Sequence, residues 1–298
     1  MIKEEGINCS EIFEEIMKEK TLSTAQLTGG VTNSSCSIVS ESGHYILRIP
    51  GNGTNEYINR INEIENMKAT SVLGLIPEIV YSNTSTGVII SKFIEDNTTM
   101  TVEDVTNPEK LGHMMRVLVQ LHKSDITFVN EFDILKVQND YKEVLSGMKV
   151  QIPEELLQCI PILDKQVTRL FHQYPKKLVP CHGDPKLNNF LLQSDKMWMI
   201  DWEYSGMADK YFDLVNFAMT NNLSKQNEML FLQAYEQEDG EPIIGKKYIL
   251  WKIATDYLWI YWHLIKLFQG EMVEYNSFSW KNRLNRAMEN IKYLEEKQ

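Results

Sequence analysis

His182, Asp184 and Asn189 form a His-x-Asp-x-x-x-x-Asn box, and twelve residues beyond Asn189 an apolar run ends in Asp201. Two carboxylates and an amide in that order suit phosphoryl transfer. One carboxylate accepts a hydroxyl proton, while the amide and the second carboxylate hold Mg²⁺ against the phosphates. Asp184 is the expected base, Asn189 and Asp201 the expected metal ligands, and His182 a brace for the loop backbone. Oxygen-only ligands suit Mg²⁺. Residues 190–192 and 197–200 flank 193–196 in the pattern of a β-hairpin, which would carry Asp201 back beside Asp184.

The phosphates need further partners. Residues 27–33, LTGGVTN, read as a phosphate-covering turn in which Gly29, Gly30, Thr32 and Asn33 bring backbone N–H groups and small polar side chains to phosphate oxygens. Arg48, in the strand-like run 45–49, can chelate phosphate bidentately. Its partner carboxylate should come from the helix at 55–73, with Glu63 the first choice and Glu65 the second. Asp213 is expected to hydrogen-bond the catalytic loop, and His122 to be a satisfied core histidine. Trp259 and Trp262 are three apart and share a helical face. By spacing alone that face is either core packing or a box for a quaternary ammonium, each cation–π contact being worth roughly 0.5–2 kcal/mol.

The elements that must position these groups follow from periodicity. Residues 8–20 read as an amphipathic helix with Ser10 as N-cap. Strands are expected near 35–39, 45–49, 78–81 and 87–93, a helix at 55–73, and further helices at 108–123, 153–173 and through 209–298. A sheet with one helix followed by mostly helix is the order of a bilobed, kinase-like α+β fold. It divides the chain into a nucleotide-binding lobe, 1–94, and a catalytic and substrate-binding lobe, 95–298. The crossover at 91–97, with Lys92 and Ile94, would contact the nucleotide base mainly through backbone groups.

Composition bounds the remaining possibilities. A chain of 298 residues with 43% hydrophobic and 24% charged residues is an ordinary globular protein. Its net charge of −11 argues against non-specific binding of nucleic acid or anionic membrane. The N-terminus is too polar for a signal peptide, and no apolar run approaches the length of a membrane span. Four widely spaced cysteines without a CxxC pair suggest reduced thiols, mostly in the core, and with them a cytoplasmic location. The oligomeric state has no sequence signal.

The chain resembles the choline/ethanolamine kinases within the aminoglycoside-phosphotransferase-like group. The likeness rests on LTGGVTN, YILRIPGNGT, CHGDPKLNN, IDWEYSGMADKYFDL and LWIYW. The resemblance implies ATP, Mg²⁺ and transfer of the γ-phosphate to a small amino alcohol, choline above others. It implies a base at Asp184, metal ligands at Asn189 and Asp201, a phosphate-holding arginine at Arg48, and a choline pocket walled by Tyr204, Trp259, Trp262 and Trp280. Two positions depart from the pattern. The box has Gly183 where choline kinases usually carry Asn, and residues 218–221 offer no glutamate for the ammonium group. Kinases of ethanolamine, thiamine or an aminoglycoside, and a non-catalytic kinase-like binding protein, are the alternative readings.

Overall fold

Alternation of side chains through residues 33–50 decides how the N-terminal part is built. In the computed structural model, which describes residues 8–27, 33–51, 53–54, 58–149, 151–270 and 279–297, helix α1 (Cys9–Met17) leads into β1 (Thr21–Leu27), β2 (Asn33–Ser40) and β3 (Gly43–Pro50). Cys36, Ile38, Tyr45 and Leu47 bury one face of β2 and β3 against Phe13 of α1. Covering Phe13 completely contributes roughly 1.5–3 kcal/mol to holding α1 there. The residues between them, Arg48 included, point to the opposite face. Helix α2 (Arg60–Ser71), β4 (Ile79–Ser82) and β5 (Ile89–Lys92) complete an antiparallel sheet of order β1-β2-β3-β5-β4.

Two expectations change here. Asn8, not Ser10, caps α1 by accepting from the Glu11 N–H, and the Ser10 hydroxyl instead meets Thr24 at 2.8 Å. Cys9 and Cys36 are joined in a disulfide, so the reading of four reduced thiols is corrected. Docking α1 on β2 brings together two cysteines 27 residues apart, a contact that spacing along the chain does not encode. Cys159 and Cys181 are free.

Beyond β5 the chain is mainly helical, with short strands that frame the catalytic box. It runs through β6 (Thr98–Thr99), α3 (Pro108–His122), α4 (Ile134–Gly147) and α5 (Glu154–Gln173) to β7 (Leu178–Cys181). The hairpin β8 (Phe190–Gln193) and β9 (Lys196–Met199) follows, with Phe190 opposite Met199. Strand β10 (Gly206–Asp209) returns to pair with β7, setting Gly206 opposite Cys181. Helices α6 (Tyr211–Thr220), α7 (Lys225–Asp239), α8 (Gly245–Phe268) and α9 (Trp280–Glu296) close the chain. Helix α8 is apolar nearly all round and is accordingly buried, packed against α4, α5, α6 and α9. No helix among the described residues is long and apolar enough to cross a membrane.

Candidate active site

The box begins where β7 ends. Gly183 has φ +85°, and a β-carbon there would stand 2.1 Å from the Tyr204 carbonyl oxygen, so both conformation and space demand glycine. The Asp213 carboxylate on α6 accepts the N–H groups of His182 and Gly183, each at 2.7 Å. The buried His122 donates to the same carboxylate at 3.0 Å and accepts the Tyr235 hydroxyl at 2.8 Å, as a satisfied core histidine should. Nε2 of His182 lies 2.9 Å from the Ile200 carbonyl, which can only accept. That proton leaves Nδ1 to accept the Asp184 N–H at 3.3 Å. His182 therefore braces the loop, as expected.

Asp184, Asn189 and Asp201 converge. The carboxylate of Asp184 is buried and lies 2.5 Å from the Lys186 ammonium. Burial opposes the charge on Lys186, yet Asp184, Asp201 and Glu203 outweigh it and hold the ammonium above its ordinary range. Asn189 spends its amide N–H on the Asp184 carbonyl at 3.0 Å, which leaves its amide oxygen for a cation. A backbone bond of 3.0 Å from Ile200 to the Asn189 carbonyl carries the chain from the box to Asp201. Asp201 follows with φ +69°, an uncommon conformation for a residue other than glycine. Its Oδ1 is buried without a hydrogen bond. Burial pushes the Asp201 carboxyl up, and Arg48 and Lys186 offset only part of that rise. A buried carboxylate oxygen that accepts no hydrogen bond and has only the Arg48 guanidinium near it, at 3.5 Å, together with the amide oxygen of Asn189, fits a hard divalent cation.

Arg48 reaches this centre from β3, with Nη1 3.5 Å from Asp201 and Nη2 on Glu63. Glu63 is fully enclosed and also accepts from Arg60 at 2.8 Å. Glu65 instead pairs with Lys68 at the surface, so the partner of Arg48 is Glu63. Arg60, which the sequence reading passed over, bonds Thr54 at 2.8 Å and Asn33 at 3.1 Å and approaches Glu203 at 3.7 Å. The Asn33 amide in turn donates to Glu203 at 2.9 Å. The other residues expected to cover phosphate, Gly29, Gly30 and Thr32, lie outside the described residues. Lys92 is not brought to the cleft by its side chain. Its ammonium bonds the Tyr45 hydroxyl at 2.9 Å and covers that ring, on the α1 face of the sheet. Ile94 is buried just beyond β5, and its carbonyl accepts from the Asn97 amide at 2.6 Å.

Beside the box stands a run of aromatic rings. Tyr204 meets Trp259 edge to face at 5.3 Å, and Trp259 meets Trp262 likewise at 5.9 Å. Trp280, buried at the first turn of α9, belongs to the same core. The Trp259 indole N–H is committed to Asn216 of α6 at 2.7 Å. Lys186, Arg60, Glu203 and Asn216 are the site residues that the sequence reading missed. Lys186 stands inside the box and Glu203 two residues past Asp201, so proximity could have flagged both. Arg60 and Asn216 have no local signal.

Comparison with known proteins gives the family and the fold. The model of the "Phosphotransferase enzyme family" matches residues 23–248. Protein LicA of Haemophilus influenzae is 27% identical over 253 residues, which cover 82% of this chain and 73% of that protein. The crystal structure of choline kinase LicA from Streptococcus pneumoniae superposes with a TM-score of 0.81 at 25% identity, covering 95% of this chain and 97% of that one. A structure of LicA in complex with AMP superposes at 0.80 with 26% identity, covering 95% and 96%. The Asp184–Asn189–Asp201 centre therefore sits in a kinase-like fold, and the chain belongs to the phosphotransferase enzyme family.

Proposed function

We propose that this phosphotransferase is an ATP- and Mg²⁺-dependent choline kinase that forms phosphocholine. Residues 1–94 would hold the nucleotide and residues 95–298 the acceptor and the catalytic groups. The single observation that carries the choice of acceptor is the wall made by Tyr204, Trp259 and Trp262 beside Gly183. Its indole and phenol faces attract a weakly hydrated cation, and its neighbouring carboxylates are already neutralised. Asp256 is paired with Arg283 and Arg286, Glu203 with Arg60 and Asn33, and Glu63 with Arg48 and Arg60. A quaternary ammonium needs no hydrogen-bond acceptor, whereas a primary ammonium or a polycationic aminoglycoside does. Glycine at 183 is required by the close Tyr204 carbonyl, whatever the acceptor. The described side chains of 220 and 221 are spent within the protein, Thr220 on the Asn216 carbonyl and Asn221 on Leu187 and Phe217.

In this reading Asp184 orients the choline hydroxyl and takes its proton as the oxygen attacks the γ-phosphate. Asn189 and Asp201 would hold Mg²⁺, which supplies neutralising charge to the phosphate oxygens. Arg48, fixed by Glu63, reaches the nucleotide phosphates, and the glycine turn with Gly29, Gly30 and Thr32 covers them. Asn33 spends its side chain on Arg60 and Glu203, so it would serve through its main chain. Backbone groups at Lys92 and Ile94 would meet the base. The relative named as a choline kinase supports this assignment, and the intact trio of acidic and amide groups disfavours a non-catalytic role.

The test is ADP release from Mg·ATP with choline, ethanolamine, thiamine, kanamycin or no acceptor. Choline turned over in preference to ethanolamine is the expected result. Preference for another acceptor keeps the phosphoryl chemistry and rejects the aromatic box. No turnover with any of them favours a non-catalytic protein.

A further inference from the structure

Asn216 stands fully buried between the aromatic wall and the catalytic loop, with a different partner on each side. Trp259 Nε1 lies 2.7 Å from its Oδ1, and its Nδ2 lies 3.0 Å from the Gly183 carbonyl oxygen. Only one orientation of the amide satisfies both contacts. An indole N–H can only donate and a carbonyl can only accept, so the side-chain oxygen must face Trp259 and the nitrogen Gly183. One turn earlier on α6, Asp213 takes the N–H groups of His182 and Gly183. Helix α6 therefore holds the peptide units around Gly183 by their donors through Asp213 and by an acceptor through Asn216. Gly183 directly precedes Asp184.

Resting on the reading of Trp259 as a wall of the choline box, we propose that Asn216 is a positioning residue that couples the ammonium pocket to the catalytic base. Trp259 then has two roles on separate atoms: its ring face receives the cation, and its N–H sets the amide that places the peptide before Asp184. The carbonyl of Gly183 is fixed by the side of the pocket that senses the acceptor's head group. A shift of the indole is passed through two hydrogen bonds to the loop that carries the base. Buried polar chains of this kind are sensitive to loss of either end, because the group left behind is unsatisfied in a low-dielectric interior.

Trp259→Phe deletes the indole N–H and keeps an aromatic face, so it isolates the link from the cation–π contact. The expected result is a fall of about tenfold in kcat for choline, the scale of one lost buried hydrogen bond. The KM values for choline and Mg·ATP should change by less than about threefold. Asn216→Ala should lower kcat at least as far, and the double variant should be no worse than Asn216→Ala alone, since members of one network are not additive. Asn216→Asp keeps the acceptor for Trp259 and loses the donor to Gly183. It should lose kcat with choline KM retained, and it supplies a second reading if the alanine variant does not fold. Multiplying losses in the double variant, or a Trp259→Phe effect confined to choline KM, overturn the coupling while leaving the choline kinase reading intact. A wild-type protein that turns over no amino alcohol overturns that reading and the coupling with it.

Discussion

The ammonium of Lys186 lies 2.5 Å from the carboxylate of Asp184, two residues before it in the same loop. In the proposed reaction a cation held beside the base would face the negative charge that develops on the group in transfer, and it would need no reorganisation to act. Lys186→Met should therefore lower kcat by tenfold or more while leaving choline KM within about twofold, the pattern of an interaction made mainly in the transition state. Steady-state kinetics against both substrates checks this, and an unchanged kcat would reduce Lys186 to a surface partner of Asp184.

Asp184→Asn keeps the shape of the proposed base and removes its ability to take a proton. A kcat loss on the order of 10²–10⁴ is expected, with ATP binding nearly intact. Nucleotide titration alongside turnover separates the two effects. Retention of most activity would reject Asp184 as the base.

Gly183→Ala places a methyl group 2.1 Å from the Tyr204 carbonyl at a φ of +85°. Either the loop or the Tyr204 segment must move. Loss of kcat by at least tenfold is expected, with a destabilisation of about 1–3 kcal/mol from the strained backbone. Denaturant midpoints and turnover, measured on the same preparation, report both. Wild-type values in each would show that the loop yields freely.

Trp262→Ala removes a half-buried ring whose indole N–H has no partner. Little stability is tied to that N–H, so the expected effect is on the acceptor. Choline KM should rise about tenfold, equal to the loss of about 1.4 kcal/mol of cation–π attraction, while kcat changes little. A folded variant with unchanged KM would return Trp262 to the hydrophobic core.

His263 is fully buried with neither ring nitrogen hydrogen-bonded. Burial, and then the charge of nearby Arg283, push its imidazole down to about 4. The folded pKa is depressed, so the unfolded chain takes up a proton between pH 6.5 and about 4 that the folded chain refuses. Stability from this residue is present above that window and lost as the pH falls through it, by up to about 3 kcal/mol. Urea midpoints at pH 7.5 and 5.0 should separate by less in His263→Leu than in wild type. Equal separations would assign the acid sensitivity to other groups.

Much of the centre was legible because its geometry is local. A box of eight residues, a two-strand hairpin and an apolar run ending in Asp201 dictate their own return path, and the structure brings Asp184, Asn189 and Asp201 together. Glu63 could be ranked above Glu65 but not separated from it until burial showed which side of α2 faces β3. Helix α4 escaped notice although Asp133 caps it and Ile134, Gln138, Tyr141 and Leu145 line its buried side. A glutamine in that stripe blurs the period. Strand β10, Gly-Met-Ala-Asp, has no strand propensity of its own and exists by pairing with β7. The direction of Lys92 was in principle readable. It shares parity with Ile90, which faces α1, and so points away from the cleft. The Cys9–Cys36 disulfide and the bridge at Asn216 depend on contacts between distant segments.

The bond from Asn33 to Glu203 joins the first residue of β2 to the segment just past Asp201, 170 positions away. Arg60 clamps both ends of it from α2. A rotation that widens the gap between the sheet and the segment past Asp201 would have to break this amide–carboxylate contact together with the Arg60–Glu203 and Arg48–Asp201 ion pairs, so the two parts of the chain are latched at that edge by three side chains of the sheet and α2.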